Sequence, residues 1–253
     1  MRPCAVNRRP DLGSVTLVAV TSVALAATVE ALKRSMEQAR FAHVLLLSDR
    51  PPAGEALGMV WRRINRLSSR EDYTRFMLRE LVDHIATPYA LCVQWDGYVL
   101  DGARWDPAFL DYDYVGAPWP HFSDGHNVGN GGFSLRSRRL LDACRELPID
   151  DPPLEDVIIG RRCRPHLEQL GFRFAPESLA RRFAYERTRP RGDEFGFHGV
   201  FNLLPRLPAS TSLQLLRSLE PGMLARSERW ELLRWALRHG RLRLALEVLR
   251  RLA

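Results

Sequence analysis

Apolar residues in the first hundred positions form short continuous runs that alternate with amphipathic segments. Residues 15–20, 43–49 and 89–94 each contain a continuous apolar run of at least four residues or one broken by a single threonine, and we predict each as a buried strand. Segments 23–39 and 68–85 repeat apolar residues at helical spacing and are predicted helices. Strands that are apolar on both faces are typical of a parallel sheet covered by helices on both sides. The pattern therefore predicts an α/β fold.

The rest of the chain carries weaker signals of the same kind. They predict a short strand at 59–64, a helix at 137–147, a helix from 155 or 156 toward 170, a strand at 172–175 and a flexible polar loop at 181–194. After Pro208 the sequence becomes a series of leucine-rich short helices. We therefore expect one α/β domain over residues 1–208 and a helical appendage over residues 209–253.

The N-terminal segment has an alternative interpretation as a secretory signal. Arg2, Arg8 and Arg9 precede an apolar stretch at 15–27. Threonines and a serine interrupt that stretch, and Glu30 and Lys33 continue its helical pattern. We therefore favour a folded strand and helix, and no stretch of the sequence is long enough to span a membrane.

The four cysteines are widely spaced, at positions 4, 92, 144 and 163, and none belongs to a CxxC pair. This spacing argues against a zinc site and fits a reducing compartment. We therefore expect a cytoplasmic protein.

The chain has a formal net charge of +7, almost entirely from arginine. Nucleic acid, anionic lipid and phosphorylated substrates are partners that such a charge can serve, although a general bias toward arginine explains it equally well. Charge is the only feature that supports nucleic acid, so we expect no such partner. The basic C-terminal helices suggest docking at the anionic inner face of a membrane, with a leucine-packed appendage as the alternative.

Polar residues follow the predicted strands at the edge where open α/β sheets bind their ligands. A carboxylate at such a position can bind a divalent cation that bridges a nucleotide diphosphate, although Asp96-Gly97 can also be a simple turn. The helix at 68–85 adds side chains within reach of a base or a phosphate. The candidate donor-binding residues here are Thr21, Ser22, Asp49, Tyr73, Arg75, Gln94 and Asp96.

The segment VGNGGFSLRS, at residues 128–137, is rich in glycine. Glycine lets a backbone approach a ligand closely, so Asn130, Gly131 and Gly132 are candidates for contact with a sugar or a phosphate. The spacing matches neither a P-loop nor a Rossmann fingerprint. A glycine turn without a ligand is the alternative, with Asn130 bonding only within its own turn.

Two further motifs offer chemistry. Glu155 and Asp156 are adjacent carboxylates, and one of them can take the proton from an attacking hydroxyl. They can also simply be the favourable acids at a helix N-terminus. His198 can complete a metal site with Asp96 or contact a diphosphate, with a packing role as the alternative.

At five motifs the chain resembles an uncharacterised bacterial and fungal glycosyltransferase-like domain family of the GT-A type. These motifs are QWDG at 94–97, DYDYVGAPW at 111–119, VGNGGFSLRS at 128–137, EDV at 155–157 and FGFH at 195–198. The resemblance covers about residues 14–200, and a more distant similarity is to β-1,3-galactosyltransferases.

The resemblance implies a GT-A-like, Rossmann-like mixed sheet that is mainly parallel and flanked by helices. It also implies Asp156 as the base and Asp96 with His198 as ligands of Mn²⁺ or Mg²⁺. Gln94 departs from the pattern, because it replaces the first aspartate of the usual metal motif and so puts the cation in doubt.

The function that these features favour is a nucleotide-sugar-dependent, inverting glycosyltransferase. Its acceptor would be a hydroxyl of a glycan or a lipid-linked sugar in surface polysaccharide or glycolipid synthesis. We expect it in the cytoplasm, peripheral at the membrane. A non-catalytic sugar- or nucleotide-binding module of the same fold is the alternative, and Gln94 is the residue that favours it.

Overall fold

A computed structural model describes residues 9–54, 58–149, 151–220 and 222–252. Two sheets organise these residues. The strands are β1 Asp11–Thr21, β2 Arg40–Ser48, β3 Val60–Arg63, β4 Tyr89–Val93, β5 Tyr98–Val99, β6 Tyr114–Gly116, β7 Phe133–Ser137, β8 Ala184–Tyr185 and β9 Gly196–Phe197. The helices are α1 Leu25–Gln38, α2 Arg70–Arg79, α3 Leu81–His84, α4 Arg138–Ala143, α5 Glu155–Val157, α6 Arg164–Gln169, α7 Glu177–Phe183, α8 Val200–Leu203, α9 Ala209–Ser218, α10 Arg226–Arg238 and α11 Leu242–Arg250.

The main sheet has six strands in the order β3-β2-β1-β4-β7-β6. β1 runs parallel to β2 and β4, and β3 runs parallel to β2. β7 is antiparallel to both β4 and β6. A smaller sheet, β5-β9-β8, lies beside it. The predicted α/β class with a mixed, mainly parallel sheet is therefore confirmed.

The apolar strands are buried on both faces because consecutive side chains of a strand point to opposite sides. Leu17 of β1 and Leu91 of β4 pack in one core with α1, whereas their neighbours Val18 and Cys92 pack in another with α2 and α3. Residues 15–27, which also resemble a signal segment, form the end of β1, a short turn and the start of α1. No described helix is long and apolar enough to cross a membrane.

The helices after Pro208 share a core with the α/β part. Tyr98 of β5 and Phe197 of β9 pack in one cluster with Leu216, Leu232 and Val248 of α9, α10 and α11. The C-terminal residues are therefore helical and joined to the rest by buried contacts. The domain boundary at residue 208 stays a prediction.

Three sequence-based predictions of local structure were wrong. Residues 172–175 form only a single bridge, between Phe174 and Tyr114, and not a strand. The segment expected as one helix from 155 to 170 is α5, a π-helical turn at Ile158–Arg162 and α6. The predicted loop at 181–194 begins inside α7 and continues as β8.

The reason is clearest for α7. Its arginines occupy the outer side while Leu179, Ala180 and Phe183 are buried. A seven-residue helix shows barely two turns of periodicity, so the charged residues dominate the pattern that a sequence reveals.

Candidate functional site

Two cavities adjoin at the carboxyl ends of β1 and β4, the edge where open α/β sheets bind ligands. The strand-end cavity, of about 420 Å³, contains Thr21, Ser22 and Trp95, and the carboxylate cavity, of about 340 Å³, contains Asp156 and His198. Both are also lined by Arg70, Tyr73 and Gln94. The shared residues make one continuous site of two halves.

Helix α2 supplies two of the shared residues. Ser69 caps it, because its hydroxyl accepts a hydrogen bond from the Asp72 amide at 3.0 Å and the Asp72 carboxylate accepts one from the Ser69 amide at 3.0 Å. This capping box fixes the residue at which the helix begins. Arg70 and Tyr73 are three residues apart in the helix, so both side chains face the site.

Gln94 connects the two halves of the site. Its backbone amide donates to the Gly132 carbonyl at 2.9 Å, which joins β4 to the glycine-rich segment. Its side-chain Nε2 donates to the Tyr73 hydroxyl at 2.9 Å, and its Oε1 lies 3.2 Å from Nε2 of His198. Gln94 is therefore held on both sides and presents an amide oxygen to the histidine.

The glycine-rich segment makes room for the site's own side chains. A Cβ at Gly131 would lie 1.9 Å from Oε1 of Glu155, and one at Gly132 would lie 2.0 Å from Nε2 of His198. The segment leads directly into β7. Its glycines thus let a carboxylate and an imidazole reach the loop.

Asn130 closes the turn of this segment. Its φ is 67°, in the left-handed region that asparagine tolerates better than most residues. Its Oδ1 accepts hydrogen bonds from the amides of Gly132, at 3.1 Å, and Phe133, at 3.2 Å. The carbonyl oxygen is thus used within the turn, and only the Nδ2 group faces the cavity, 3.3 Å from Nδ1 of His198.

His198 lies between two carboxylates. Its Nε2 is 3.1 Å from Oδ1 of Asp96, and its Nδ1 is 3.5 Å from Oε1 of Glu186. Burial alone would lower the pKa of His198, but the two neighbouring carboxylates raise it well above its ordinary value. Asp96, Glu186 and His198 therefore form a charged cluster beside Gln94, a residue that lines both cavities.

The donor set around Nε2 of His198 fits a divalent cation. Oδ1 of Asp96 is buried 3.1 Å from Nε2 of His198 and has no other polar partner in the described residues. Together with Oε1 of Gln94 it gives two oxygens and one nitrogen, a set that suits Mn²⁺. Over the described ranges no group of three or more His, Cys, Asp or Glu could hold a metal ion, so a site here would use the amide oxygen of Gln94 as well.

Glu155 and Asp156 are adjacent but have different environments. Glu155 is buried and pairs with Arg136, whose Nη2 lies 3.2 Å from its Oε1. The Arg136 side chain is completely buried and also donates to Ser134 Oγ at 3.0 Å. Glu155 is therefore held in an internal ion pair, although it lies at the wall of the carboxylate cavity.

Asp156 lines the same cavity and has no ion pair in the described part of the chain. Its Oδ2 accepts a hydrogen bond from the Gly131 amide at 3.1 Å, and its Oδ1 accepts one from the Val157 amide at 2.8 Å. Burial and the adjacent Glu155 raise the pKa of Asp156 to about 6. A carboxylate with such a pKa is ionised at neutral pH and is more basic than an ordinary aspartate.

Three predicted donor-binding residues, Asp49, Arg75 and Asp96, line neither cavity, although Asp96 contacts His198. Asp49 lies beside Arg50, at 4.0 Å. Arg75 forms an exposed pair with Glu71 at 2.7 Å, because it is two residues beyond Tyr73 and so points to the other side of α2. The other predicted donor-binding and metal-binding residues are in the site or directly beside it.

The sequence analysis missed several polar residues of the site, including Arg70, Glu186 and Arg187. Arg70 lies near the start of the helix predicted at 68–85 and lines both cavities. Glu186 and Arg187 lie in the segment predicted as a loop, and both line the carboxylate cavity. Recognition of the short strand β8, which ends directly before Glu186, is the signal that would have brought them to attention.

Solved structures similar to this chain include three of glycosyltransferases. The mannosyltransferase PcManGT from Pyrobaculum calidifontis, in complex with GDP-Man and Mn²⁺, is 12% identical, with a TM-score of 0.48 over 94% of this chain and 73% of that one. An active-site mutant of LgtC is 13% identical, with a TM-score of 0.48, and the galactosyltransferase LgtC with donor and acceptor sugar analogs is 13% identical, with a TM-score of 0.44; each match covers 86% of this chain and 100% of that one.

Sequence comparisons give one match and one absence. No curated protein matches the chain. Residues 60–198, more than half of the chain, match the family described as "Protein of unknown function (DUF5672)", and the chain therefore belongs to that family.

Proposed function

We propose that the protein transfers a sugar from a nucleotide-diphosphate donor to a hydroxyl of a glycan or glycolipid acceptor. The observation that carries this proposal is the joined pair of cavities, with Asp156 in one and the strand-end residues in the other. The nucleoside would occupy the strand-end cavity, the diphosphate the junction at Arg70 and Gln94, and the sugar the carboxylate cavity. Trp119 in that cavity offers an aromatic surface of the kind on which sugar rings pack.

In this proposal Asp156 is the general base. Its carboxylate takes the proton from the acceptor hydroxyl as the hydroxyl oxygen bonds to the anomeric carbon. The bond from that carbon to the diphosphate oxygen breaks, and the nucleoside diphosphate leaves with the electron pair. A single displacement of this kind inverts the anomeric centre. The amides of Gly131 and Val157 orient the carboxylate, and Glu155, held by Arg136, is not the base.

We also propose a divalent cation, Mn²⁺ or Mg²⁺, held by Asp96, His198 and the amide oxygen of Gln94. When bound, such a cation neutralises charge on the leaving diphosphate. Glu186 lies against the opposite ring nitrogen of His198 and is placed to orient the ring, as carboxylates beside metal-binding histidines do.

Mn²⁺ should raise the melting temperature of the protein in the absence of nucleotide sugar, and Asp96→Asn should abolish that shift. The physical reason is that an ion bound only by the folded state stabilises it. Differential scanning fluorimetry with a Mn²⁺ titration measures the effect. Asp142→Asn, at an exposed aspartate of α4, is the matched control and should retain the shift. A shift that survives in the Asp96 variant would place the cation elsewhere.

Arg70→Gln should weaken binding of a nucleoside diphosphate roughly tenfold, the size expected for a lost charged hydrogen bond. Arg70 lines the junction of the cavities, and the described residues give it no ion pair. Isothermal titration calorimetry with UDP and GDP measures the loss. Arg75→Gln removes an arginine five residues away whose partner is Glu71, and it should bind like the parent. Equal losses in both variants would contradict the assignment of Arg70.

A panel of nucleotide sugars tests the function itself. Thermal stabilisation by one donor, together with its hydrolysis or transfer to an added acceptor, supports the enzyme. Stabilisation without turnover, with or without Mn²⁺, supports the non-catalytic binding module that Gln94 favours.

The role in surface polysaccharide synthesis and the cytoplasmic location at the inner face of the membrane remain parts of the proposal, and no nucleic-acid partner is proposed.

A further inference from the structure

Large apolar side chains are exposed mainly on the last two helices. Five of the seven that are exposed in the described part of the chain belong to α10 and α11. We name these five the C-terminal apolar face: Trp230, Leu237, Leu242, Leu246 and Leu249. They are 43–64% exposed. Since single exposed leucines are ordinary but concentrated ones mark interaction sites, this face requires a partner.

The helices α10 and α11 form an antiparallel hairpin with an inner and an outer side. Arg229, near the start of α10, donates to the carbonyl of Arg251, just after the end of α11, so the open ends of the hairpin meet. On α11 the buried residues are Leu244, Ala245 and Val248. The exposed leucines at 242, 246 and 249 follow helical spacing on the opposite side. The helix α11 is thus apolar on both sides, and only one side is used inside the fold.

The C-terminal segment is also strongly basic. Residues 209–253 contain nine arginines and four glutamates, a net charge of +5 out of +7 for the whole chain. Glu247, on α11, is already engaged by Arg217, Arg250 and Arg251. Arginines without a carboxylate partner in the described residues are interspersed with the C-terminal apolar face. They are Arg226, Arg234, Arg238 and Arg243.

We propose that the C-terminal apolar face docks the protein on an anionic lipid surface, with the exposed leucines and Trp230 in the headgroup region and the unpaired arginines on lipid phosphates. A helix that carries both apolar side chains and arginines on its outer side satisfies the two requirements for binding in the plane of an interface. A second protein copy would bring these arginines against one another, so the charge favours lipid over self-association. Binding to lipid does not depend on the proposed sugar transfer.

Vesicle co-sedimentation of the full chain, without nucleotide sugar, tests this proposal. The protein should bind vesicles of phosphatidylcholine with 30% phosphatidylglycerol and bind poorly to phosphatidylcholine alone. Binding should fall as NaCl is raised from 0.1 to 0.5 M, because salt screens the exposed charges. Equal binding to both vesicle types, or no binding to either, would overturn the proposal.

Two double variants assign the binding to this face. Arg234→Gln/Arg243→Gln should weaken binding roughly 25-fold, at about fivefold for each arginine near an anionic surface. Leu242→Gln/Leu246→Gln should weaken it by at least about tenfold. All four side chains are exposed, so circular dichroism should show unchanged folding.

Matched controls remove the same residue types elsewhere. Arg63→Gln/Arg66→Gln removes two exposed arginines near β3, and Leu170→Gln removes an exposed leucine after α6. Both controls should bind as the parent does, and losses equal to those of the C-terminal variants would contradict the assignment. A leucine variant that turns a dimer into a monomer without changing vesicle binding would show self-association instead. Tighter binding to duplex DNA than to vesicles would show a nucleic-acid surface.

Discussion

Replacement of Asp156 by asparagine should reduce kcat by about 10² to 10⁴-fold, the range over which a general base contributes. The affinity for the nucleoside diphosphate should stay within about twofold, because Asp156 lies in the carboxylate cavity and not in the strand-end cavity. An asparagine oxygen can still accept a hydrogen bond from the Gly131 or Val157 amide, so the local structure should persist. Initial rates of transfer and calorimetric titration of nucleotide measure the two effects separately.

The pH dependence gives an independent test of the same residue. A base acts in its ionised form, so kcat/KM of the parent should rise with pH through about 6, the pKa of Asp156. Stability should respond in the opposite direction. The pKa of Asp156 in the folded protein lies above the ordinary 3.8, so the folded state binds this proton more tightly than the unfolded state does. The contribution of that proton to the free energy of unfolding is complete below pH about 3.8 and is lost as pH rises through about 6. Asp156→Asn should therefore raise the melting temperature at pH 8.

Asp142→Asn serves as the control for both measurements, because Asp142 is exposed on α4 and pairs only loosely with Arg145, at 3.7 Å. It should change neither the rate nor the acid limb of the pH profile. If Asp156→Asn retained the parent rate, the base would be another group, and the mechanism proposed for the carboxylate cavity would be wrong.

The parallel strands could be predicted from the sequence because their physics is local. A strand buried on both faces is apolar at every position, as Leu17 and Val18 illustrate, and the polar residues after it mark the ligand-binding edge. Thr21, Ser22 and Gln94 were found in this way, and the structure places them in the strand-end cavity. The sequence does not reveal which side of α2 faces this edge, because that depends on how the helix packs on the sheet. Arg75 was therefore predicted as a site residue although it is exposed, and Arg70 was missed although it lines both cavities.

The interior of the site could not be predicted because it depends on contacts between distant positions. The meeting of Asp96, Glu186 and His198 joins residues separated by as much as 102 positions in the sequence. The sequence draws attention to the glycines, but it could not reveal that they make room for Glu155 and His198. Arg136 gave no signal at all, since an arginine inside a strand is usually assumed to be exposed.

The buried pair of Arg136 and Glu155 leads to the largest effect expected on stability. Arg136→Met removes the cation and leaves the Glu155 carboxylate uncompensated in the interior, which should lower the free energy of unfolding by about 3–5 kcal/mol. Urea denaturation measures the change.

A double variant and a surface control separate the ion pair from its surroundings. Arg136→Met/Glu155→Leu should recover most of the lost stability, because an apolar pair of similar volume costs no desolvation of charge. Arg145→Met breaks an exposed pair with Asp83 and should cost less than about 1 kcal/mol. If the double variant were as unstable as Arg136→Met alone, the loss would come from packing and from the lost bond to Ser134, and not from the unpaired charge. Recovery would show that the fold is stable without the ion pair. We would then assign the pair the role of holding Glu155, and the backbone of the adjoining Asp156, beside the glycine-rich segment.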